Sequence, residues 1–282
     1  MHGLIFVTWE KYLLERFHGA VLAEYRRELG LTAANSPLAI RTYSDEMLIA
    51  GVGAAHKITH VPVDTLLKEY GRYFIINGLT RHRCAYLLSQ ARTGRDLLLA
   101  MRNAHEQMKQ LPDGLTPPLF EYRLHPRDPQ TLVLIYDSPR KLCPLLIGAI
   151  EGSAEYYGEQ VRVSEQTCMR NGDLACTFVI KYSGVQASRA DSLEIQEHRK
   201  EQQLFADQIF SLLPTQYGLT LSEIQEHLRQ RGARQQGLRP ALILQALTQL
   251  HHAGLVASTA NEEGDEFSQR RYWRVPTLHG NP

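Results

Sequence analysis

The chain has 282 residues, which is long for one domain and enough for two. Its 43% of hydrophobic residues can fill sizeable cores, and a formal net charge of +1 gives no overall bias towards nucleic acid or membrane surfaces. No apolar run has transmembrane length and no leader-like segment opens the chain, so we expect a soluble cytoplasmic protein without a membrane partner. In that compartment the four cysteines are expected to be free thiols or metal ligands.

The first part of the chain is predicted to be mainly helical. Residues 1–7 form a strand-like apolar run, and apolar positions three and four apart then predict a helix over residues 12–29. Gly30 is the expected stop of that helix. Three further helices are predicted: residues 47–56 with Asp45 as a cap, a helix opened by Val63 with Asp64 as N-cap, and a helix that begins near Leu97 and carries His105.

Strand character follows these helices. The predicted strands are residues 120–124, 131–137, 160–165 and 176–182, and a helix is predicted over residues 145–157. The last two strands are expected to form a hairpin whose turn contains Asn171-Gly172-Asp173. Helices followed by a largely antiparallel sheet predict an α+β domain over residues 1–183.

The composition shifts after residue 183, and a second domain is predicted beyond it. Residues 184–203 are rich in charge and poor in apolar side chains, which indicates an exposed linker helix. Residues 204–282 then hold three helices and a strand pair, which is the plan of a winged helix-turn-helix. The second of these helices opens with Thr220-Leu221-Ser222-Glu223, which has the form of a capping box, and the third ends at Gly254.

The segment Tyr136-Asp137-Ser138-Pro139-Arg140 carries the most specific chemistry in the sequence. Side chains two apart on a strand share a face, so a phenol, a hydroxyl and a guanidinium converge there. Three such donors suit a ligand with two carboxylates or phosphates. His105, in a predicted helix upstream, can bind a metal through its neutral imidazole. Two carboxylates and one axial imidazole are what a haem requires, although each feature alone is more typical of an ordinary strand face or a surface histidine.

Further motifs share their order and spacing with one known family. They are Met1-His2-Gly3-Leu4-Ile5-Phe6-Val7-Thr8-Trp9, Glu69-Tyr70-Gly71-Arg72, Thr116-Pro117-Pro118 and Ile150-Glu151-Gly152-Ser153, together with His105 and the Tyr136 to Arg140 segment. Through them the first 183 residues or so resemble the haem nitric oxide/oxygen binding family, H-NOX or HNOB. The resemblance implies the H-NOX fold, in which helices and a mainly antiparallel sheet enclose a haem. That haem would be haem b, since no Cys-x-x-Cys-His is present to attach it covalently.

The resemblance also implies roles for individual residues. His105 would be the axial ligand of the haem iron, and Pro118 would press on the porphyrin and distort it. The propionate partners would be Tyr136, Ser138 and Arg140. Nitric oxide binding would break the bond between iron and His105, and the strain held by His105 and Pro118 would be released into the domain.

The resemblance further indicates which gas is bound. In the oxygen-binding branch of the family a distal tyrosine donates a hydrogen bond to dioxygen, and Leu145 stands at that position here. Phe74 replaces a polar helper of the same branch, and Ile5 and Trp9 complete the predicted pocket. The implied function is therefore a nitric oxide sensor that excludes oxygen.

Three cysteines near the motif form a second candidate site. Some bacterial members of the family have a zinc site of three cysteines and one histidine, and the cysteine positions match Cys143, Cys168 and Cys176. Glu165 stands where the histidine would be, and a carboxylate is a less usual fourth ligand, with His125 as an alternative. Structural zinc, with thiol oxidation as a second input, and buried thiols without metal both remain open interpretations.

The predicted winged helix favours transcriptional control through DNA binding. Candidate phosphate contacts near the turn before the third helix and near the wing are Arg229, Arg231, Arg234, Arg239 and Arg271. Two features argue against DNA. The wing at residues 262–266 is acidic, and the face of the third helix expected to be exposed is polar rather than basic: Gln245, Thr248, Gln249, His251 and His252.

The alternative function is therefore a sensor-adaptor that signals nitric oxide, or thiol and zinc redox state, through protein contacts of the C-terminal domain. A homodimer is compatible with either function. No nucleophile–base set, phosphate loop, cyclase signature or kinase signature is present, so we expect no enzymatic activity.

Overall fold

The computed structural model describes residues 1–32, 35–39, 41–109, 115–125, 128–185, 193–233, 238–259 and 269–275. Within these ranges, no helix combines the length and the apolar character that are needed to cross a membrane. The expected phosphate contact Arg234 and the predicted acidic wing at residues 262–266 lie outside the described residues.

Six helices form the first part of the N-terminal domain: α1 (Gly3–Glu28), α2 (Asp45–Thr59), α3 (Val63–Ile76), α4 (Gly78–Arg83), α5 (Ala85–Ser89) and α6 (Gly94–Met108). The strand expected over residues 1–7 is wrong, because α1 begins at Gly3. A short apolar run fits a buried helix as well as a strand, and periodicity alone cannot separate the two. The backbone of α1 leaves helical geometry at His18, where φ is 69°, so this helix is kinked.

The N-termini of these helices differ from the expected caps. Ser44 and Pro62 occupy the cap positions of α2 and α3, while Asp45 and Asp64 lie inside the first turns. Thr93 caps α6, since its side chain accepts a hydrogen bond from a backbone N–H of the first turn. The carboxylate of Asp45 is consequently available for a tertiary contact.

A four-stranded sheet and one helix complete the domain: β1 (Leu119–His125), β2 (Asp128–Asp137), α7 (Cys143–Tyr156), β3 (Glu159–Thr167) and β4 (Cys176–Val185). The strand order is β1-β2-β4-β3, and every pairing is antiparallel. The predicted antiparallel sheet and the β3–β4 hairpin are therefore confirmed. One core, with Leu134, Ile150 and Phe178, lies between α7 and the sheet, and a second surrounds Trp9 and Tyr70 among α1, α2 and α3.

Helices α3 and α7 cross at close range because glycines remove side chains where their backbones meet. A Cβ atom on Gly71 would lie 2.0 Å from the Leu145 carbonyl oxygen, and one on Gly148 would lie 1.9 Å from the Lys68 carbonyl oxygen. Both distances are far below van der Waals contact, so only glycine fits at these positions. The crossing fixes Leu145 of α7 relative to α3.

The C-terminal domain consists of three helices and a small sheet: α8 (Leu193–Leu212), β5 (Leu219–Thr220), α9 (Leu221–Gln230), α10 (Pro240–His252), β6 (Val256–Ser258) and β7 (Arg271–Arg274). The sheet order is β5-β7-β6 and the pairings are antiparallel. Thr220 and Glu223 form the predicted capping box of α9. The expected linker helix and the expected first helix are one continuous helix, α8, because no breaker separates them before Pro214.

The C-terminal domain packs against the N-terminal domain through α10. Gln249 Nε2 donates to the His82 carbonyl oxygen at 3.4 Å, and His252 Nδ1 lies 3.1 Å from the Arg83 carbonyl oxygen. Gln249 and His252 are only 3% and 5% exposed. The prediction that both belong to an exposed face is wrong, because α10 turns that face towards α4.

A second contact joins the C-terminal domain to the end of α6. Gly254 follows α10 with φ of +72°, and a Cβ atom on it would lie 2.7 Å from the Ala104 carbonyl oxygen. Met108 packs beside the buried side chains of Ala257 and Val275. The last turn of α6 is therefore covered by the C-terminal domain.

Candidate functional site

A largely apolar cavity of about 250 Å³ lies between α1, α3, α6, α7 and the sheet. It brings together these predicted residues: Ile5, Phe74, His105, Pro118, Tyr136, Ser138, Arg140 and Leu145. Trp9 is not among the residues that line this cavity, so its assignment to the haem pocket stays a prediction. It is 1% exposed and meets Tyr70 edge-on, with ring centres 5.0 Å apart, because the inward face of α1 packs on α3 at this point.

His105 lies in the last turn of α6, and its imidazole borders the cavity. Nδ1 is 2.6 Å from the carbonyl oxygen of Met101, one turn earlier, which assigns the proton to Nδ1 and the lone pair to Nε2. Burial lowers the pKa of this imidazole, so the neutral form predominates near neutral pH. The ring packs edge-on against Phe120, with centroids 5.2 Å apart. A neutral, oriented imidazole is the form that coordinates a metal ion.

Tyr136 and Ser138 lie at the end of β2 and just after it, and both are buried. The Tyr136 ring stacks on Phe120 at a centroid distance of 5.7 Å. Burial raises the pKa of the Tyr136 phenol, so it stays protonated and keeps its hydrogen-bond donor. Two hydroxyl donors are thus held in an otherwise apolar cavity.

Arg140 is oriented by two contacts that the sequence did not indicate. Its Nε lies 2.7 Å from Asp45 Oδ2, and its Nη1 donates to the Thr116 carbonyl oxygen. The other oxygen of Asp45 lies 3.6 Å from the N-terminal ammonium of Met1. Side-chain exposure is 10% for Arg140 and 34% for Asp45, so the guanidinium is well shielded from water while the carboxylate is partly exposed. Asp45 was expected to cap α2, and instead it positions the cation of the motif.

The wall built from Ile5, Phe74 and Leu145 offers no hydrogen-bond donor to the cavity. Tyr70, a buried phenol of this helical core, donates to the Ile5 carbonyl oxygen at 2.6 Å and also lies 2.8 Å from Thr8 Oγ1. Its hydroxyl is therefore engaged within the core. A small ligand bound at this wall would contact apolar side chains.

Two imidazoles in the cavity lining were missed by sequence reasoning. His2 at the start of α1 and His252 at the end of α10 both border the cavity. Their ring centres are 4.9 Å apart, and that of His251 is 5.9 Å from that of His2. Burial, with the neighbouring imidazoles, lowers the pKa of His2 well below its usual value and that of His252 to about 4. No local pattern links residues so far apart in the chain.

The second candidate site is assembled by the β3–β4 hairpin and the start of α7. Ligand atoms of Cys143, Glu165, Cys168 and Cys176 all lie within 4.8 Å of one another, whereas His125 is not part of this group. The sulfur of Cys168 is 3.6 Å from that of Cys143 and 3.9 Å from that of Cys176. Burial raises the pKa of the Cys143 and Cys176 thiols, with the neighbouring cysteines contributing, so these two side chains are protonated in the absence of a metal.

Of the candidate phosphate contacts that the structure describes, all four are exposed, but three of them have internal partners. Arg229 pairs with Glu226, and Arg231 Nη1 lies 3.3 Å from Ser211 Oγ. Arg239 and Arg271 are the other two described candidates, and both are exposed. Arg271 Nη1 lies 3.5 Å from a Glu223 carboxylate oxygen. The guanidiniums of Arg229, Arg231 and Arg271 are therefore engaged within the protein.

The first site fits a haem. Its lining is apolar enough for a porphyrin face, one imidazole lone pair borders it, and a guanidinium and two hydroxyls can meet two carboxylates. The fold and the cavity thus define a haem-binding sensor domain. A family model described as haem-NO-binding matches residues 2–165, which is more than half of the chain. The chain belongs to this H-NOX family, and its N-terminal domain is a haem-based sensor of nitric oxide or a related gas.

Solved structures show the same fold for this domain. An H-NOX protein from S. oneidensis in the Fe(II)NO state is 22% identical, with a TM-score of 0.58, over 65% of this chain and 100% of that one. The I5F mutant of T. tengcongensis H-NOX is 21% identical, with a TM-score of 0.58, over 66% and 100%. Unliganded Fe(II) H-NOX from K. algicida is 17% identical, with a TM-score of 0.56, over 67% and 100%. No curated protein sequence gives a significant match.

Proposed function

We propose that the protein is a haem-based nitric oxide sensor in which His105 would bind the haem iron. The observation that carries this proposal is the single cavity that His105 shares with the Tyr136 to Arg140 motif. Ferrous haem b would supply an iron centre that binds nitric oxide. The Met101 carbonyl oxygen holds the proton of Nδ1, so Nε2 is the atom offered to the iron.

The propionates would be bound by Tyr136, Ser138 and Arg140. Charge-assisted hydrogen bonds of this kind contribute about 1.5–3 kcal/mol each, so they affect retention of the haem strongly. Asp45 and Thr116 already hold two edges of the Arg140 guanidinium, which reduces the entropy lost when a carboxylate binds. Pro118 borders the same cavity and would contact the porphyrin.

Selectivity for nitric oxide over oxygen is supported by the wall of Ile5, Phe74 and Leu145. Dioxygen on a ferrous iron needs a hydrogen-bond donor, whereas nitric oxide does not, and these side chains have none to give. Absorption spectra of the purified ferrous protein test this. We expect the Soret band to shift under nitric oxide and to keep its ferrous position in air. A stable oxygen complex would contradict oxygen exclusion, and the absence of a Soret band would contradict haem binding.

The cysteine cluster supports a structural zinc ion bound by Cys143, Cys168 and Cys176, with Glu165 as the fourth ligand. Zinc–sulfur bonds of about 2.3 Å at tetrahedral angles separate the sulfurs by about 3.8 Å. The two measured separations, 3.6 and 3.9 Å, lie on either side of that value. Metal binding would also convert the buried thiols to thiolates.

Metal analysis of the purified protein and of Cys168→Ser tests the zinc site. We expect the variant to lose one equivalent of zinc. Glu165→Gln, which keeps the shape of the side chain, is expected to bind zinc more weakly and to keep the fold. Equal zinc content in wild type and Cys168→Ser would exclude this cluster as the site.

The output of the sensor is proposed to be the C-terminal domain, acting as a winged helix. The chain order of α8, β5, α9, α10, β6 and β7 agrees with that plan. Because Gly254 and Met108 join this domain to the last turn of α6, a movement of His105 in that turn would act directly on its docking surface. Transcriptional control by DNA binding is the primary proposal, and a protein partner is the alternative.

DNA contact through the polar face of α10 requires that α10 leaves α4, since Gln249 and His252 are buried in the docked state. We therefore expect nitric oxide to promote DNA binding. A gel shift with genomic fragments, with and without nitric oxide, measures this. Retention only with nitric oxide is the expected result. No retention in either state would favour the protein partner, for which the internal ion pairs of Arg229 and Arg271 already argue.

A further inference from the structure

Three histidines from the two domains meet at the edge of the cavity. His2 belongs to the N-terminal domain, and His251 and His252 end α10. One ring nitrogen of each lies within 4.8 Å of the others. We propose that His2, His251 and His252 bind a divalent transition-metal cation of the zinc and copper class, which joins the two domains.

Hydrogen bonding around His252 supports the proposal. Its Nδ1 lies 3.1 Å from the Arg83 carbonyl oxygen, which assigns the proton to Nδ1 and leaves the lone pair on Nε2. Nε2 is buried and has no hydrogen-bond partner among the described residues. His252 as a whole is 5% exposed. A buried lone pair without a donor is costly, and a cation would satisfy it.

His2 also has a buried Nε2 without a partner in the described part of the chain. Its Nδ1 accepts a hydrogen bond of 3.2 Å from the Leu4 backbone N–H, as an N-cap of α1. Coordination through Nε2 moves the proton to Nδ1 and ends this bond, so metal binding competes with the cap. The metal affinity of the site therefore depends on the hydrogen bond by which His2 caps α1.

The surrounding charge limits which cations bind. The ammonium of Met1 and the guanidinium of Arg83 face the cluster and oppose a cation, although Asp45 lies 3.6 Å from that ammonium. Hard cations such as Mg²⁺ and Ca²⁺ need oxygen ligands and are therefore excluded. Zinc and copper form strong bonds to neutral imidazoles, and three imidazoles with one water are a recognised zinc set.

The separation of the nitrogens requires a small rearrangement. Metal–nitrogen bonds of about 2.0–2.1 Å hold tetrahedral ligand atoms about 3.3 Å apart. The ligand nitrogens now lie within 4.8 Å of one another, so side-chain rotation of His2, His251 and His252 would have to shorten these separations on binding. The ion would then bind the start of α1 to the end of α10, next to the last turn of α6.

Zinc titration of the chelator-treated, haem-loaded full chain tests this site. The variants are His2→Asn, which retains an N-cap acceptor, and His252→Gln, which retains a donor to Arg83. His227→Gln, an exposed histidine of α9, is the matched control. We expect each of the two variants to bind zinc at this site about 100-fold or more weakly, since loss of a hydrogen-bond partner to a ligating histidine alone costs roughly 10–100-fold.

Counting the thiols that zinc protects from alkylation distinguishes this site from the cysteine cluster. In His2→Asn and His252→Gln the total zinc should fall by one equivalent while the number of protected thiols stays unchanged. The same zinc stoichiometry and affinity as wild type in both variants would overturn the proposal. The Soret band and the circular dichroism spectrum report folding of each variant. If His252→Gln does not retain haem, the zinc stoichiometry and affinity of His2→Asn alone test the proposal. This zinc measurement does not depend on which gas the haem binds or on whether the C-terminal domain binds DNA or a protein.

Discussion

At the scale of single residues, neighbours decide what a side chain can do. His105 would be an ordinary helix histidine without the Met101 carbonyl oxygen, which orients the ring, and without burial, which keeps it neutral. Arg140 likewise depends on Asp45 for its orientation. Substitution of single residues in the cavity, with a matched control for each, therefore tests the role of one functional group at a time.

His105→Ala removes the proposed iron ligand from the cavity. We expect haem affinity to fall at least about tenfold, which corresponds to about 1.4 kcal/mol. Haem titration followed at the Soret band measures this, with His227→Ala as the control. Added imidazole should restore the wild-type spectrum, because it supplies the missing nitrogen. An unchanged spectrum in His105→Ala would show that another residue binds the iron.

Leu145→Tyr adds a hydroxyl to the apolar wall. A hydrogen bond to a charged acceptor contributes about 1.5–3 kcal/mol, so oxygen affinity should rise roughly 10- to 100-fold. Leu145→Phe is the matched control, since it adds a ring without a donor. Oxygen titration of the ferrous protein measures the difference. Equal oxygen affinity in the two variants would mean that Leu145 does not face the bound gas.

At the scale of elements, the crossing of α3 and α7 fixes the wall of the cavity. Gly71→Ala places a methyl group where the Leu145 carbonyl oxygen lies 2.0 Å away, so the helices must separate. We expect a loss of at least 1–3 kcal/mol in unfolding free energy, typical of overpacking, together with weaker haem retention. Denaturant unfolding and haem content provide the measurements.

Gly53→Ala is the matched control for this crossing. Gly53 is an exposed glycine within α2, and a Cβ atom there meets no atom within 4 Å. This change should be neutral or stabilising by roughly 0.5–1 kcal/mol, because alanine loses less backbone entropy in a helix. Similar losses in both variants would contradict the packing argument.

At the scale of the whole molecule, docking of the C-terminal domain on α6 connects the two domains. Gly232 and Gly254 follow α9 and α10 in the left-handed region, with φ of +78° and +72°, but only Gly254 has close neighbours. Gly232→Ala should cost about 1–2 kcal/mol from the backbone alone. Gly254→Ala should cost more, because its methyl group meets the Ala104 carbonyl oxygen.

The two variants are compared by thermal unfolding and by limited proteolysis. We expect faster cleavage only in Gly254→Ala, because the domains are less tightly docked. Tyr86→Phe provides an intermediate case, since it removes only the 2.8 Å hydrogen bond to Asp207. Equal stability and equal cleavage in the two glycine variants would exclude this contact as the connection between the domains.

Local patterns in the sequence determined much of this protein. Periodicity, turn residues and the Thr220 capping box predicted most elements, and the motif at Tyr136 to Arg140 with His105 predicted the cavity. These features depend on neighbours within a few residues or on a fixed family spacing. The first strand was wrongly predicted because a short apolar run fits either a strand or a buried helix.

Only the tertiary structure decided the remaining features. The pairing of Asp45 with Arg140, the burial of Trp9 in the helical core and the meeting of His2 with His252 join residues far apart in the chain. Gln249 is a further example. Its position on α10 predicted an exposed side chain, but α4 covers it. Packing between elements sets such contacts, and no local pattern of residues encodes which surfaces will meet.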